Sequence, residues 1–285
     1  MKIGVAYPQI ELRGDPAAVR KFGRAVEDLG FDHILAYDHV LGAVHADRTP
    51  PLMGPYTEHN PFHDPFVMFA YLAGMTERIR FVTGVLILPQ RQTALVARQA
   101  ADVDLLSGGR LRLGVGIGWN YVEYEALGQD FHTRGAREEE QIDLLRRLFR
   151  EPVVDFSGRF DQVDRASLVP KPEGSIPIWL GGYGEKAFDR AARLADGFIF
   201  FGISGAIDAW KRMRDQVGSL GRSVANFGGE YVASGSDIGE LAREIEAWRE
   251  AGGTHVSVST MRLGLDSVSA HIDFLSSVAD AVNLS

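Results

Sequence analysis

Short apolar segments of strand length recur along this chain, and most of them precede a segment whose apolar residues have helical spacing. We identify eight such strands within 285 residues. Strands that alternate with helices predict a parallel sheet of the α/β class, and eight repeats fit a closed (β/α)8 TIM barrel better than an open doubly wound sheet. The predicted strands are residues 2–7, 33–37, 80–88, 111–115, 178–180, 198–201, 230–233 and 255–258.

We predict a single domain over residues 1–285, because no linker divides the chain. Residues 42–64 and 129–135 follow the second and fourth strands, so they are expected to be loop insertions at the C-terminal face of the barrel. Loops longer than about 15 residues are uncommon without a function. Residues 156–169 break the alternation and are predicted to form a small hairpin.

Composition narrows the class of protein. The formal net charge is −8, from 30 basic and 38 acidic residues, which argues against a nucleic-acid partner. The absence of cysteine excludes disulfides, iron–sulfur clusters, thiolate zinc sites and cysteine nucleophiles. No apolar run approaches the roughly 20 residues of a membrane span, and no secretory leader is visible. We therefore expect a cytoplasmic protein that acts on a small molecule without a membrane partner.

A glycine-rich run, RLRLGVGIGWNYVE at 110–123, begins as the fourth strand and continues toward a helix. Gly114, Gly116 and Gly118 remove side chains at the ligand end of the sheet, where the backbone comes close to another group. A flat or phosphorylated ligand would suit this end. The run does not match the dinucleotide-binding fingerprint, because its third glycine comes one residue early.

Asp38 and His39 follow the second strand at the same end of the predicted barrel. A histidine there can donate a proton or hold a substrate anion, and a neighbouring carboxylate can hold backbone groups or tune the charge. The alternative is a loop pair that makes only local hydrogen bonds.

Two other glycine positions have both a functional and a structural explanation. Gly84 interrupts the third strand, which indicates a bulge, a close approach or tight barrel packing. Gly181 and Gly182 precede a helix, so their backbone N–H groups would suit a phosphate, although a plain tight turn is the alternative.

Trp119 and Asn120 could flank a ring system, or the tryptophan could pack under the helix.

Potential metal ligands are concentrated in or beside the long second loop. Their spacing matches no metal motif, so we expect no metal and interpret residues 42–64 as a lid that shapes a substrate pocket. The residues are His45, Asp47, His59, His63 and Asp64.

Seven segments in order resemble the luciferase-like monooxygenase superfamily, and the resemblance covers nearly the whole chain. It is closest to the branch of probable oxidoreductases that use the deazaflavin coenzyme F420. The segments are AYDHV at 36–40, TGVLILP at 83–89, LLSGGRLRLGVGIGW at 105–119, RGAREEE at 134–140, PKP at 170–172, IPIWLGG at 176–182 and RAARLADGF at 190–198.

The resemblance implies that an isoalloxazine-like ring lies across the barrel mouth. The ring would stack near Thr83, Gly84 and Val85, where deazaflavin relatives often have a non-proline cis peptide. The ribityl chain and ring edge would approach the residues of the fourth strand and its loop, Gly116, Trp119 and Asn120.

The resemblance further implies that the phosphate binds at Gly181 and Gly182 and that Asp38 contacts the cofactor. His39 would be the catalytic residue, facing the substrate as proton donor or anion stabiliser. Some sugar-phosphate dehydrogenases of the superfamily have a proton-donating glutamate where this chain has Ile117, and a lid aromatic where it has Ala43. We therefore do not expect oxidation of a sugar phosphate.

Several functions remain open at this point. The first is hydride transfer between coenzyme F420 and a small organic substrate. The second is an FMN-dependent monooxygenase that uses reduced flavin and O2. A metal-assisted hydrolase and a non-catalytic flavin-binding homologue are less favoured.

Three further expectations concern the ligands and the assembly. The anionic tail of F420 would need a basic rim, for which Arg48, Arg91 and Lys186 are candidates. Aromatic residues of the second loop and the helix after it suggest a moderately apolar substrate. Superfamily members are often homodimers, which is our expectation here.

Overall fold

Parallel strands close into a barrel in the computed structural model, which describes residues 1–202 and 205–284. The strand order is β3-β2-β1-β11-β10-β9-β8-β5-β4, and pairing of β3 with β5 closes the ring. The strands are β1 Lys2–Ala6, β2 His33–Ala36, β3 Arg80–Thr83, β4 Leu86–Ile87, β5 Leu111–Gly116, β6 Val154–Ser157, β7 Gln162–Ala166, β8 Ile178–Gly181, β9 Gly197–Phe201, β10 Gly228–Ser234 and β11 His255–Ser259. Because β3 and β4 are two halves of one interrupted strand, the predicted (β/α)8 TIM barrel is confirmed.

Helices pack around the outside of the barrel and cover its apolar outer surface. The predicted helices are confirmed to within a few residues, and the short α1 is an addition. The helices are α1 Gln9–Leu12, α2 Pro16–Asp28, α3 Pro65–Ala73, α4 Thr93–Ser107, α5 Tyr121–Ala126, α6 Arg134–Arg150, α7 Glu185–Leu194, α8 Ala206–Ser219, α9 Ile238–Glu250 and α10 Val268–Ala281. Within the described ranges, none of them is long and apolar enough to cross a membrane.

Side-chain caps determine where several helices begin. The Asp64 carboxylate accepts hydrogen bonds from the N–H groups of Phe66 and Val67, and Pro65 occupies the first helical position. This combination satisfies two backbone donors that the first turn of α3 leaves without intrahelical partners. Asn120 caps α5 in the same way, through the N–H of Val122.

The N-terminal end of the barrel interior contains a buried polar network. His33 Nε2 lies 2.8 Å from Glu230 Oε1, and Arg112 forms an ion pair with the same carboxylate. The Arg112 guanidinium lies 4.1 Å from the centre of the Trp179 ring. These groups fill the N-terminal end of the barrel interior.

Both predicted excursions from the barrel are present. Strands β6 and β7 form the antiparallel hairpin, which lies between α6 and β8. The loop 42–64 follows β2, and within it His45 Nε2 lies 2.9 Å from the Tyr56 carbonyl oxygen. Tyr121 of α5 donates a 2.7 Å hydrogen bond to the Pro50 carbonyl of this loop. Arg262, which follows β11, donates a 2.6 Å hydrogen bond to the Pro55 carbonyl from the other side. The loop is therefore held at both sides of the barrel mouth.

Candidate active site

A cavity of about 510 Å³ opens at the C-terminal mouth of the barrel. Its walls come from the ends of β2, β4, β5, β8 and β9 and from the loop 42–64, and most of the exposed wall surface is apolar. Apolar clefts with a few convergent polar groups are the usual form of small-molecule sites, and this face of a TIM barrel is where such sites occur.

Predicted residues His39 and Asp38 both line this cavity, but their side chains have different partners. His39 Nδ1 lies 3.2 Å and 3.3 Å from the two carboxylate oxygens of Glu123. Because a carboxylate can only accept, Nδ1 must carry the hydrogen, which leaves Nε2 as the ring nitrogen available to a ligand. The N–H groups of Val40 and Leu41 donate to the same Glu123 oxygen at 2.7 Å and 2.9 Å.

Aromatic rings surround His39 and restrict its rotation. The centroids of Tyr56, Phe62 and Trp119 lie 5.3, 4.8 and 5.4 Å from the imidazole centroid. Two of these rings belong to the loop 42–64, so the lid and the histidine form one packed unit. The imidazole is thus fixed by hydrogen bonds on one side and by ring packing on the others.

Asp38 is 2% exposed, and both of its carboxylate oxygens are engaged by protein groups. One oxygen accepts a 2.7 Å hydrogen bond from Arg91, and the other accepts the N–H of Ile87 at 2.9 Å. Arg91 also donates to Asp64 at 3.1 Å, so it is engaged by two carboxylates. These contacts hold β4 and the start of α3 beside the cavity.

The Gly84–Val85 peptide bond is cis, as the resemblance implied, and both residues line the cavity between β3 and β4. Gly84 also has a packing role, because a Cβ atom there would lie 2.3 Å from Leu35 Cδ2. Thr83 is fully buried, and its hydroxyl donates a 2.6 Å hydrogen bond to the Gly114 carbonyl. Thr83 therefore fixes strand geometry behind the cavity wall.

The glycines of β5 make room mainly for other strands. A Cβ at Gly114 would lie 2.0 Å from the Thr83 carbonyl oxygen, and one at Gly116 would lie 2.6 Å from Val85 Cγ2. Gly118 has a φ of +61° and does line the cavity. The close approach that we predicted for a ligand at Gly116 is thus a contact with the neighbouring strand.

Trp119 lines the cavity, whereas Asn120 lies behind it. Besides capping α5, the Asn120 amide donates a 3.3 Å hydrogen bond to the Leu41 carbonyl. It so connects the loop after β5 to the residue that precedes the lid. The Trp119 ring packs over Gly54, where an added Cβ would lie 2.4 Å from the indole. Asn120 therefore fixes backbone behind the cavity wall, and Trp119 forms part of the cavity surface.

Gly181 and Gly182 lie on the cavity wall directly before α7. No side chain caps α7, and the N–H groups of Gly184, Glu185 and Lys186 have no hydrogen-bond partner in the part of the chain that the structure describes. Unpaired N–H groups at the start of a helix of ten residues are suited to an anion. The geometry is compatible with the predicted phosphate position.

The sequence interpretation missed several wall residues. Tyr37, Tyr183 and Phe201 line the cavity, and Glu123 holds its histidine. Glu123 could have been found from the helix phase, because a helix starting at Asn120 places position 123 in its first turn, on the side of the preceding strand. The aromatic residues carried no comparable signal in the sequence.

Residues considered as metal ligands are dispersed. Asp64 caps α3, His45 contacts a backbone carbonyl, and His59 pairs with exposed Glu58. Within residues 1–202 and 205–284, no group of three or more such side chains comes together. Ile117 lines the cavity where some relatives have an acid, and Ala43 is buried.

Comparison with known proteins agrees with this geometry. The family model described as luciferase-like monooxygenase matches residues 2–255. An uncharacterized protein of Mycobacterium tuberculosis is 34% identical over 204 residues, covering 68% of this chain and 70% of the relative.

Two relatives with named activities use different cofactors. An F420-dependent glucose-6-phosphate dehydrogenase of Nocardia farcinica is 33% identical over 195 residues, covering 65% of this chain and 56% of the relative. An FMNH2-dependent dimethylsulfone monooxygenase of Pseudomonas fluorescens is 28% identical over 249 residues, covering 85% and 63%. Among solved structures, an F420-dependent secondary alcohol dehydrogenase superposes with a TM-score of 0.81 at 18% identity, covering 99% of this chain and 98% of the other.

Fold and site together define a TIM-barrel protein of the flavin-type oxidoreductase class. More specifically, the chain belongs to the luciferase-like monooxygenase family, whose members related to this chain include both F420-dependent and FMNH2-dependent enzymes.

Proposed function

We propose that this protein is an oxidoreductase that transfers a hydride between the deazaflavin coenzyme F420 and a small organic substrate. One observation carries the proposal: the wall of one apolar cavity holds His39, fixed by Glu123, and leads through Gly181 and Gly182 to the unpaired N–H groups at the start of α7. The N–H groups suit the phosphate of a flavin-type cofactor, and His39 suits the role of a proton donor or acceptor beside the reacting carbon.

The residues present fit a flat tricyclic ring with a phosphorylated chain. Val85 and Ile87 offer an apolar floor, and Trp119 offers an aromatic edge. Gly182 lets the chain pass closely toward α7, whereas the missing side chain of Gly181 makes room for Val85. A deazaflavin in this position would supply the hydride chemistry, since it carries two electrons and one proton equivalent at a ring carbon.

His39 would hold or move the proton of the substrate oxygen at Nε2. The Glu123 carboxylate keeps Nδ1 protonated and the ring oriented, so Nε2 can accept a proton from a hydroxyl or, once protonated, return it to a carbonyl oxygen. The lid rings around His39 exclude water from this exchange. Of the wall residues beside it, Asp38 is paired with Arg91 and Ile117 is apolar, so His39 is the side chain placed to exchange this proton.

Relatives support F420 without deciding against FMN. The Nocardia dehydrogenase and the solved alcohol dehydrogenase are named as F420-dependent, and the Pseudomonas monooxygenase is named as FMNH2-dependent. An FMN monooxygenase is therefore the second candidate, because it would use the same cavity and the same phosphate position. Lys186, exposed in the first turn of α7, and Arg48 in the lid are available to the longer anionic tail of F420.

A fluorescence titration tests the proposal. Oxidised F420 and FMN are each added to the protein, and quenching of the cofactor emission gives the two dissociation constants. We expect micromolar binding of F420 and at least tenfold weaker binding of FMN. Equal or tighter binding of FMN would favour the monooxygenase, and binding of neither would contradict both.

A substitution tests the phosphate position in the same assay. Gly182 has a φ of +150°, which side chains rarely adopt, and it lies on the cavity wall. We expect Gly182→Val to abolish cofactor binding. Gly174→Val is the matched control, because Gly174 lies in open space and is not among the residues that line the cavity. Unchanged affinity of Gly182→Val would show that the phosphate binds elsewhere.

A further inference from the structure

The wall of the active-site cavity has almost no free charge. Asp38 is the one carboxylate among its described lining residues, which include no lysine or arginine, and the Asp38 carboxylate is paired with Arg91. Arg91 is in turn shared with Asp64, so this cluster has no spare positive charge for a ligand. Away from the start of α7, a substrate carboxylate or phosphate would lose its hydration without gaining a lysine or arginine partner, which is strongly unfavourable.

Polar side chains do line the cavity around His39. His39 Nε2 and the hydroxyls of Tyr37 and Tyr56 make no hydrogen bond to another described residue, whereas Tyr183, which is also on the wall, is 78% exposed. The Tyr56 ring lies 5.3 Å from the His39 ring and 6.3 Å from the Tyr37 ring, measured between centroids. Polar groups that converge in an otherwise apolar pocket determine which ligand is bound and in which orientation.

Both tyrosines stay protonated at physiological pH. Burial raises the pKa of Tyr37 far above its usual value, and burial raises the pKa of Tyr56 to about 12. A protonated phenol can donate to a carbonyl oxygen and can accept from a hydroxyl. The two tyrosine hydroxyls therefore suit an uncharged substrate oxygen, whether it belongs to an alcohol or to a carbonyl group.

Apolar side chains surround the hydroxyls of Tyr37 and Tyr56. Tyr37 packs between Tyr56 and Phe201, with a centroid distance of 6.2 Å to the latter ring. Phe201 and Pro55 complete a wall that offers contact area and no hydrogen bonds from side chains. The part of the substrate that carries no oxygen must accordingly be aliphatic or aromatic.

We propose that the substrate is an uncharged molecule with an aliphatic or aromatic skeleton and one reactive hydroxyl or carbonyl group, and that Tyr37 and Tyr56 together with His39 select it. This inference rests on the proposed function for the reaction, but it concerns only what the cavity wall recognises. It also assigns Tyr37 as a residue that determines specificity, because Tyr37 lines the cavity between Tyr56 and the apolar ring of Phe201.

Matched ligand pairs test the charge requirement. In 1-phenylethanol and mandelate the same carbinol carries either a methyl group or a carboxylate, and acetophenone and benzoylformate repeat the comparison for the carbonyl. Calorimetry measures binding directly in complexes that cannot react, with the alcohols added to protein loaded with reduced cofactor and the carbonyl compounds added to protein loaded with oxidised cofactor. We expect each neutral ligand to bind at least tenfold more tightly than its anionic counterpart. Equal or tighter binding of the anions would overturn the proposal.

The panel also includes octan-2-ol and octan-2-one, so that a purely aliphatic skeleton is represented. Failure of all four neutral ligands to bind would likewise overturn the proposal. The cofactor titration is performed first and independently, so that a protein that prefers FMN contradicts the proposed reaction while the ligand pairs still test the cavity wall.

Tyr37→Phe tests the assigned residue. This variant removes one hydroxyl and keeps the ring, so we expect about fivefold weaker binding of the neutral ligands and unchanged cofactor affinity. Tyr71→Phe is the matched control, because Tyr71 is an exposed tyrosine of α3. If Tyr37→Phe binds every ligand as the unmodified protein does, Tyr37 has no part in recognition.

Discussion

Glu123 Oε1 lies 3.2 Å from His39 Nδ1 and also accepts the N–H groups of Val40 and Leu41. A buried carboxylate on the first turn of α5 thus holds His39 and the residues that lead into the lid at the same point. The arrangement explains how a histidine at a strand end can keep one orientation although the residues after it are irregular.

Substitution of Glu123 is expected to separate two roles, the orientation of His39 and the acceptance of the backbone N–H groups of Val40 and Leu41. Glu123→Gln keeps one acceptor oxygen for the backbone donors but removes the negative charge beside the imidazole, so turnover should fall about tenfold or more with little loss of stability. Glu123→Ala leaves buried N–H groups without an acceptor, which should cost on the order of 1–3 kcal/mol of unfolding free energy as well.

Steady-state kinetics and urea denaturation measure the two effects. Glu125→Gln is the matched control, because Glu125 is exposed on the same helix. Cofactor affinity should be unchanged in Glu123→Gln. A variant that retains full turnover would exclude Glu123 from positioning His39.

Asp38 was expected to contact the cofactor. Because its carboxylate accepts hydrogen bonds from Arg91 and from the N–H of Ile87, we expect Asp38→Asn to lower mainly the stability of the fold. Arg91 would lose its closest carboxylate at 2.7 Å inside the protein, and breaking one side of a buried ion pair costs about 3–5 kcal/mol. Because Arg91 keeps Asp64, we expect a loss near the lower end of this range.

Chemical denaturation of Asp38→Asn checks the stability loss, and cofactor titration checks the alternative. Asp64→Asn is the comparison variant, since Asp64 pairs with the same arginine but is 32% exposed. It should cost less than Asp38→Asn. Full stability together with lost cofactor binding would identify Asp38 as a direct ligand instead.

Local sequence patterns were sufficient for the fold and for several residues that lie on the cavity wall. Most barrel strands are short, mainly apolar runs, because parallel strands are covered on both faces, and the long loop stands out by its irregular composition. Gly84 and the Gly181–Gly182 pair could be found because a glycine where a side chain would be expected marks a special backbone position.

Groups that act through distant partners could not be predicted from the sequence. Arg112 and Glu230 would each look like a surface charge, yet they meet inside the barrel from strands more than a hundred residues apart. Gly116 looked like a ligand contact, because the sequence does not show that Val85 would fill the same space. Side-chain identity alone does not reveal which neighbour a residue will have once the barrel closes.

The contact between Gly54 of the lid and Trp119 allows a test of whether the position of the lid affects the cavity. A Cβ at position 54 would lie 2.4 Å from the indole ring, so Gly54→Ala must displace either the lid or the tryptophan. Because Trp119 lines the cavity and packs on His39, we expect severalfold weaker cofactor binding and only a small loss of stability, since position 54 is exposed. The measurements are cofactor titration and thermal melting, with Gly174→Ala as control. Unaltered affinity would mean that the lid can shift without any effect on the cavity.

Glu138 on α6 predicts a specific pH dependence of stability. Burial raises the pKa of this carboxyl to about 8, and the Arg190 guanidinium at 3.4 Å offsets only part of the effect. The unfolded chain has an ordinary glutamate pKa near 4.3, so the folded state binds the extra proton between about pH 4.3 and 8. Its contribution to stability is therefore fully present below about pH 4.3 and is lost as the pH rises through 8, by at most about 1.4 kcal/mol per pH unit.

Glu138→Gln should remove this dependence, because the amide is neutral at every pH. We expect the unfolding free energy of the variant, relative to the unmodified protein, to rise steadily between pH 5 and pH 8 in urea denaturation. Taking this difference cancels the titration of all other groups. The exposed Glu125→Gln should give a nearly flat difference over the same range. Parallel curves for Glu138→Gln and the unmodified protein would show that Glu138 is ionised in the folded state already at pH 5, with Arg190 as a sufficient partner.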